Sequence, residues 1–138
     1  MATLDAYSVL VVSDATDPLV ANVSVGALPL GLAYDSANGE VFVTDPEGGN
    51  VYVISGSTNA VVASIKVGSF PFGIAYDSSA REMFVVNQAS SSLSVISDSS
   101  NSEVATVKVR SQPVSVVYDP AKGEIFVSSE PSYVGYQP

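Results

Sequence analysis

Short apolar runs rich in Val, Ile, Phe and Tyr recur along the chain, separated by clusters of Asp, Asn, Gly and Ser. Between residues 26 and 67 the runs occupy 31–34, 41–44, 51–54 and 61–67. β-Branched and aromatic side chains suit a pleated, half-buried surface better than a helix, so each run predicts a strand. The separators at 35–39, 45–50 and 55–59 carry residues that tolerate positive φ or cap their own backbone, and predict hairpin turns. The fourth run alternates. Val23 and Val25, Ile65 and Val67, Val107 and Val109 are expected to face inward. Asn22 and Ser24, Ser64 and Lys66, Thr106 and Lys108 are expected to face water. No helix is predicted, and the class is all-β.

The pattern repeats. Pro29, Pro71 and Pro113 follow one another at intervals of 42 residues, as do Tyr34-Asp35, Tyr76-Asp77 and Tyr118-Asp119. Without a gap, 19 of 42 positions are identical between 26–67 and 68–109. Four-stranded antiparallel units of this length, repeated, predict β-propeller blades. A β-sandwich lacks such a period, and a parallel β-helix needs a shorter rung. The segments Gly31 and Gly73 sit where blades crowd the axis and require small side chains.

The recurring Pro-x-Gly-[Leu/Ile]-Ala-Tyr-Asp, the Phe-Val pairs at 42, 84 and 126, and the Val-Ile-Ser at 53 and 95 resemble the YVTN family of β-propeller repeats. The namesake tetrapeptide has drifted to Phe42-Val-Thr-Asp45, Phe84-Val-Val-Asn87 and Phe126-Val-Ser-Ser129. The resemblance covers about residues 7–129 and implies a surface-layer or secreted protein of archaeal or bacterial type. It implies no activity, because fold does not carry function.

Register defines one propeller module over 1–138 and its parts: a half blade at 7–25, whole blades at 26–67 and 68–109, a half blade at 110–129 and a tail at 130–138. Half, two and half make three blades per chain. Propellers run from about four to eight blades, so two chains are expected to close a six-bladed ring as a homodimer. The same exchange left open would give a filament, and an excerpt of a longer propeller is the other alternative.

Composition narrows the chemistry. The chain of 138 residues has a net charge of −9, with no Cys and no His. Thiolate and imidazole metal sites, disulfides and Ser-His-Asp triads are excluded. Five cations give no footprint for nucleic acid. No apolar run approaches the length of a membrane helix, and no signal peptide is visible at the start.

Propeller ligands usually meet the face built by the loops from fourth to first and from second to third strands. Here those are 26–30, 68–72 and 110–114, with 45–50, 87–92 and 129–134. Phe70, Phe72, Arg110, Gln112, Asp45 and Asn87 are the candidate contact residues. Packing between blades is the competing role for the two phenylalanines. Asp35, Asp77 and Asp119 are expected to cap their own turns rather than hold Ca²⁺. Asn22-Val-Ser24 is an acceptor triplet for N-glycosylation, placed on a wet strand face. No catalytic residues, metal or cofactor are predicted. The expectation is a non-enzymatic structural or adhesive scaffold outside the cell, contacting itself, surface proteins or glycans, and inserting in no membrane. The alternative is a small-molecule-binding or enzymatic propeller, lyase- or hydrolase-like, using the central channel.

Overall fold

The structure, a computed structural model, describes residues 7–14 and 19–130. The expected tail from residue 131 onward, with the last part of the 129–134 loop, lies outside the described residues. Among the described residues, twelve strands are formed and no helix. β1 (Ser8–Val12) and β2 (Leu19–Ser24) form a two-stranded sheet. β3 (Leu32–Asp35), β4 (Glu40–Asp45), β5 (Asn50–Ser55) and β6 (Val61–Lys66) form a four-stranded meander. β7 (Pro71–Asp77), β8 (Glu82–Asn87), β9 (Ser92–Ser97) and β10 (Ser102–Lys108) form the next. β11 (Pro113–Asp119) and β12 (Glu124–Ser129) form the last two-stranded sheet. Every pairing is antiparallel, and the strands match the predicted runs within a residue or two.

Each sheet buries one face on the next, and three apolar seams result. Val23 and Val25 of the first half blade pack on Val43 and Ile54. Phe42, Val51, Val53 and Ile65 meet Met83, Val85 and Ile96 across the central seam. Phe84, Val86, Leu93 and Val95 meet Val116, with Tyr118 and Val127 at its margin. Consecutive sheets stacked face to face in this order make the arc of a β-propeller. Close approach near the axis explains two glycines. A Cβ at Gly31 would sit 2.6 Å from the Phe72 carbonyl oxygen, and one at Gly73 2.8 Å from the Ser115 Cα.

The expected alternation holds in β2 and β6 and fails in β10, which is exposed along its whole length. Val107 is bare because the sheet that follows has only two strands among the described residues, so no third strand covers it as Ile96 of β9 covers Ile65. Each fourth strand also carries a bulge at the same point of the repeat. Val20, Val62 and Val104 are the extra residues and face solvent.

Candidate functional site

Asp45 and Asn87 end the second strands of the two whole blades, but they fasten their loops differently. Asp45 is buried. Its Oδ2 accepts from the Ala27 amide at 3.1 Å and its Oδ1 from the Leu28 amide at 3.0 Å. The carboxylate thereby ties loop 26–30 to loop 45–50. An amide cannot accept at both terminal atoms, so Asn87 turns inward. Its Nδ2 donates to Ser92 Oγ at 3.1 Å and Ser94 Oγ at 2.9 Å, and its buried Oδ1 has no partner. Loop 68–72 is held instead by the Ser69 amide donating to Ser90 Oγ at 3.1 Å and by the Gln88 amide donating to the Phe70 carbonyl at 2.9 Å.

Phe70 adopts a φ of 59°, an αL conformation uncommon for an aromatic residue. This turn leaves its ring half exposed, 5.3 Å from the Phe72 ring. Phe72 is partly buried against the third seam, so packing accounts for it. Phe70 instead forms one wall of a groove of about 460 Å³ between the loops of the two whole blades. Pro46, Phe70 and Ala89 supply apolar lining, Ser90 a hydroxyl, Glu47 the groove's one carboxylate and Lys66 its one cation. An aromatic wall beside one acid and one base suits a small, flat ligand with a polar end.

The six candidate residues do not form one site. Arg110 lies in a separate cavity of about 300 Å³ with Val109, Val127 and Ser129, one blade further round. Gln112 is bound in its loop. Its backbone N–H donates to Ser91 Oγ at 3.4 Å and its backbone carbonyl accepts from the Glu130 amide at 3.0 Å. Asn22 is exposed on β2, between half-buried Ala21 and buried Val23.

At the opposite ends of the strands, Asp35, Asp77 and Asp119 each accept from amides of their own turns, at 2.9 Å from Ala37, Ser79 and Ala121. They converge on no shared cation site among the described residues. Burial by itself would raise Asp77. The Ser79 hydroxyl and the Ala80 and Ser79 amides outweigh it and hold its carboxyl below the usual range.

A polar cluster there escaped the sequence reading. Asp98 is buried between the two whole blades. It accepts from Tyr76 Oη at 2.7 Å and lies 2.9 Å from Arg81 Nε. The Arg81 contact is an ion pair in which the N–H is not aimed at Oδ1, which lacks an aligned hydrogen bond. Arg81 Nη2 also donates to Asn38 Oδ1 at 2.8 Å, and Asn38 Nδ2 to the Asp98 carbonyl at 3.0 Å, across the blades. Burial, then the bond to Asp98, pushes the Tyr76 hydroxyl far up, so it stays protonated. Burial, then Asp35 and Asp98, raises Glu40. The readable signal was a paired departure from the repeat: Gly39 and Gly56 of one blade become Arg81 and Asp98 in the next. The backbone bond between the two positions is kept, at 2.9 Å for the glycines and 3.1 Å for the charged pair.

The arylesterase family model matches residues 40–137, about seven-tenths of the chain. The chain belongs to the arylesterase family. The match overturns the expectation of a non-enzymatic protein, because the family is named for a catalytic activity. Solved structures agree on the fold. The dihydro-heme d1 dehydrogenase NirN superposes with a TM-score of 0.78 at 16 % identity, over 91 % of this chain and 28 % of that one. A functionally unknown protein from Desulfotomaculum acetoxidans gives 0.72 at 18 %, over 86 % and 40 %. Kuenenia stuttgartiensis hydrazine synthase gives 0.69 at 21 %, over 75 % and 29 %. The arylesterase-family chain thus spans between about a quarter and two-fifths of the length of these proteins. At such identities the likeness concerns the propeller alone. No curated protein matches the sequence. The fold is that of a propeller family, and the matched family is arylesterase whereas the repeat motifs resemble YVTN.

Proposed function

We propose that this chain forms part of a propeller hydrolase acting on aryl esters, with the groove beside Phe70 as the binding site. The observation that carries the reading is the family match over residues 40–137. The groove supports it chemically. The Phe70 ring can stack on an aryl group, an arrangement that favours aromatic over aliphatic ligands. The Glu47 carboxylate takes a proton from a water molecule while the water oxygen adds to the ester carbonyl carbon. Lys66 offsets the charge that develops on the carbonyl oxygen. The bond from the carbonyl carbon to the aryl oxygen then breaks and the aryl oxygen leaves as phenolate, which takes up a proton.

Placement outside the cell is part of the same reading, supported by the exposed Asn22 acceptor and by the resemblance to secreted repeats. Phenol release from phenyl acetate tests the activity. The purified chain is expected to give a saturable rate above buffer, and a rate equal to buffer contradicts the proposal. Glu47→Gln is expected to lower kcat by about a hundredfold, the usual range for a lost general base. Turnover in the wild type that Glu47→Gln leaves unchanged keeps the activity and removes the groove as its site.

A further inference from the structure

Among the described residues the arc is bounded by two sheets that each hold half of a blade, and the halves are complementary. β1 and β2 occupy third and fourth positions of the 42-residue unit, and β11 and β12 the first and second. In whole blades the second strand pairs with the third, β4 with β5 and β8 with β9. The corresponding edges of β12 and β1 carry no strand among the described residues. Exposed edges of this kind are sites of strand pairing with another chain.

Side chains mark the same gap. Val12 is 62 % exposed, whereas Ile54 and Ile96 at its repeat position are 3 % and 0 % exposed. Phe126 is 56 % exposed, whereas Phe42 and Phe84 are 0 % and 6 %. Ile65, Met83 and Ile96 form one buried group across the central seam. Their equivalents Val107, Ile125 and Val12 are all exposed and lie at opposite ends of the arc. The bulge valines 20, 62 and 104 are exposed in every blade, so their exposure belongs to the repeat and carries no such meaning.

We propose that a second copy of this chain supplies the missing halves: β12 of each copy pairs antiparallel with β1 of the other, closing a six-bladed ring with two-fold symmetry. The occupant is a second copy because each open edge displays the strands that the other lacks. Two copies paired in this way give six blades, within the range propellers adopt. The register follows from the two whole blades. Met83 faces Ile96, Phe84 faces Val95, Val85 faces Ser94 and Asn87 faces Ser92. One repeat later, Ile125 faces Val12 of the second copy, Phe126 faces Val11, Val127 faces Leu10 and Ser129 faces Ser8. Val12 of the second copy then closes over Val107 as Ile96 closes over Ile65. This inference is independent of the esterase reading, since the groove lies within one copy.

The absence of cysteine gives a clean background for a cross-linking test. Directly opposed residues of an antiparallel pair have Cα atoms roughly 4.5–5.5 Å apart, within disulfide reach. Under mild oxidation Val11→Cys/Phe126→Cys is expected to yield a reducible covalent dimer. Leu10→Cys/Phe126→Cys, one residue out of register and on opposite faces, is expected to yield none. Light scattering of the unaltered protein is expected to give twice 14.2 kDa, unchanged on dilution. A 14.2 kDa species overturns the proposal, as does a dimer in which the in-register pair fails to cross-link. A ladder of larger cross-linked species overturns the closed ring.

Discussion

A carboxylate shut between two blades needs a counter-charge and a donor, and Asp98 has both in Arg81 and Tyr76. Removing the donor leaves a buried oxygen unsatisfied. Tyr76→Phe is therefore expected to cost about 1.5–3 kcal/mol in chemical denaturation, the range for a hydrogen bond to a charged group. Glu40 faces the opposite situation. Burial and the nearby Asp35 and Asp98 raise its folded-state pKa, so its favourable contribution is full below the unfolded value and is lost as pH rises through the folded one. Glu40→Gln is accordingly expected to raise the melting temperature at neutral pH, with the gain vanishing as pH falls to 4.5 and below. A gain that persists in acid would contradict this assignment. Asp77 works with the other sign: its lowered pKa gives stability above the unfolded value that is lost as pH falls through the folded one.

Strands and turns were legible in the sequence because each has a local cause. Val, Ile and Phe at period two fix the strands, and Asp35, Asp77 and Asp119 close their turns with their own carboxylates. Burial of an element was less legible, since it depends on the sheet stacked beside it. The inward pattern at Val107 is the same as at Ile65, yet only Ile65 has a full blade to face. The same logic separates equivalent phenylalanines. Phe42→Ala opens a cavity in the central seam and is expected to cost about 3–5 kcal/mol. Phe126→Ala touches no closed seam within one copy and is expected to shift the protein from dimer to monomer with intact strand content. Circular dichroism with sizing distinguishes the two outcomes.

For the whole molecule, the repeat period defined the propeller, because a 42-residue unit of four strands buries its face only by stacking on copies of itself. The groove was only half legible. Phe70 was identified, but Glu47 comes from a loop and Lys66 from the end of β6 in the neighbouring blade, and they meet it only through the curvature of the arc. Arg110 and Gln112 share Phe70's loop class yet fall one blade away. The catalytic reading had no sequence motif to announce it, since neither His nor Cys is present, Glu47 sits in an ordinary turn and Lys66 ends β6. An aryl ester bound against Phe70 is the central claim, and comparing kcat/KM for phenyl acetate and hexafluoroisopropyl acetate, an aliphatic ester of similar leaving-group acidity, in the wild type and Phe70→Ala tests it most directly. The prediction is a preference of about tenfold or more for the aromatic ester, about 1.4 kcal/mol, that Phe70→Ala largely abolishes by raising KM. Equal turnover of the two esters, or an aromatic preference that survives Phe70→Ala, would contradict it.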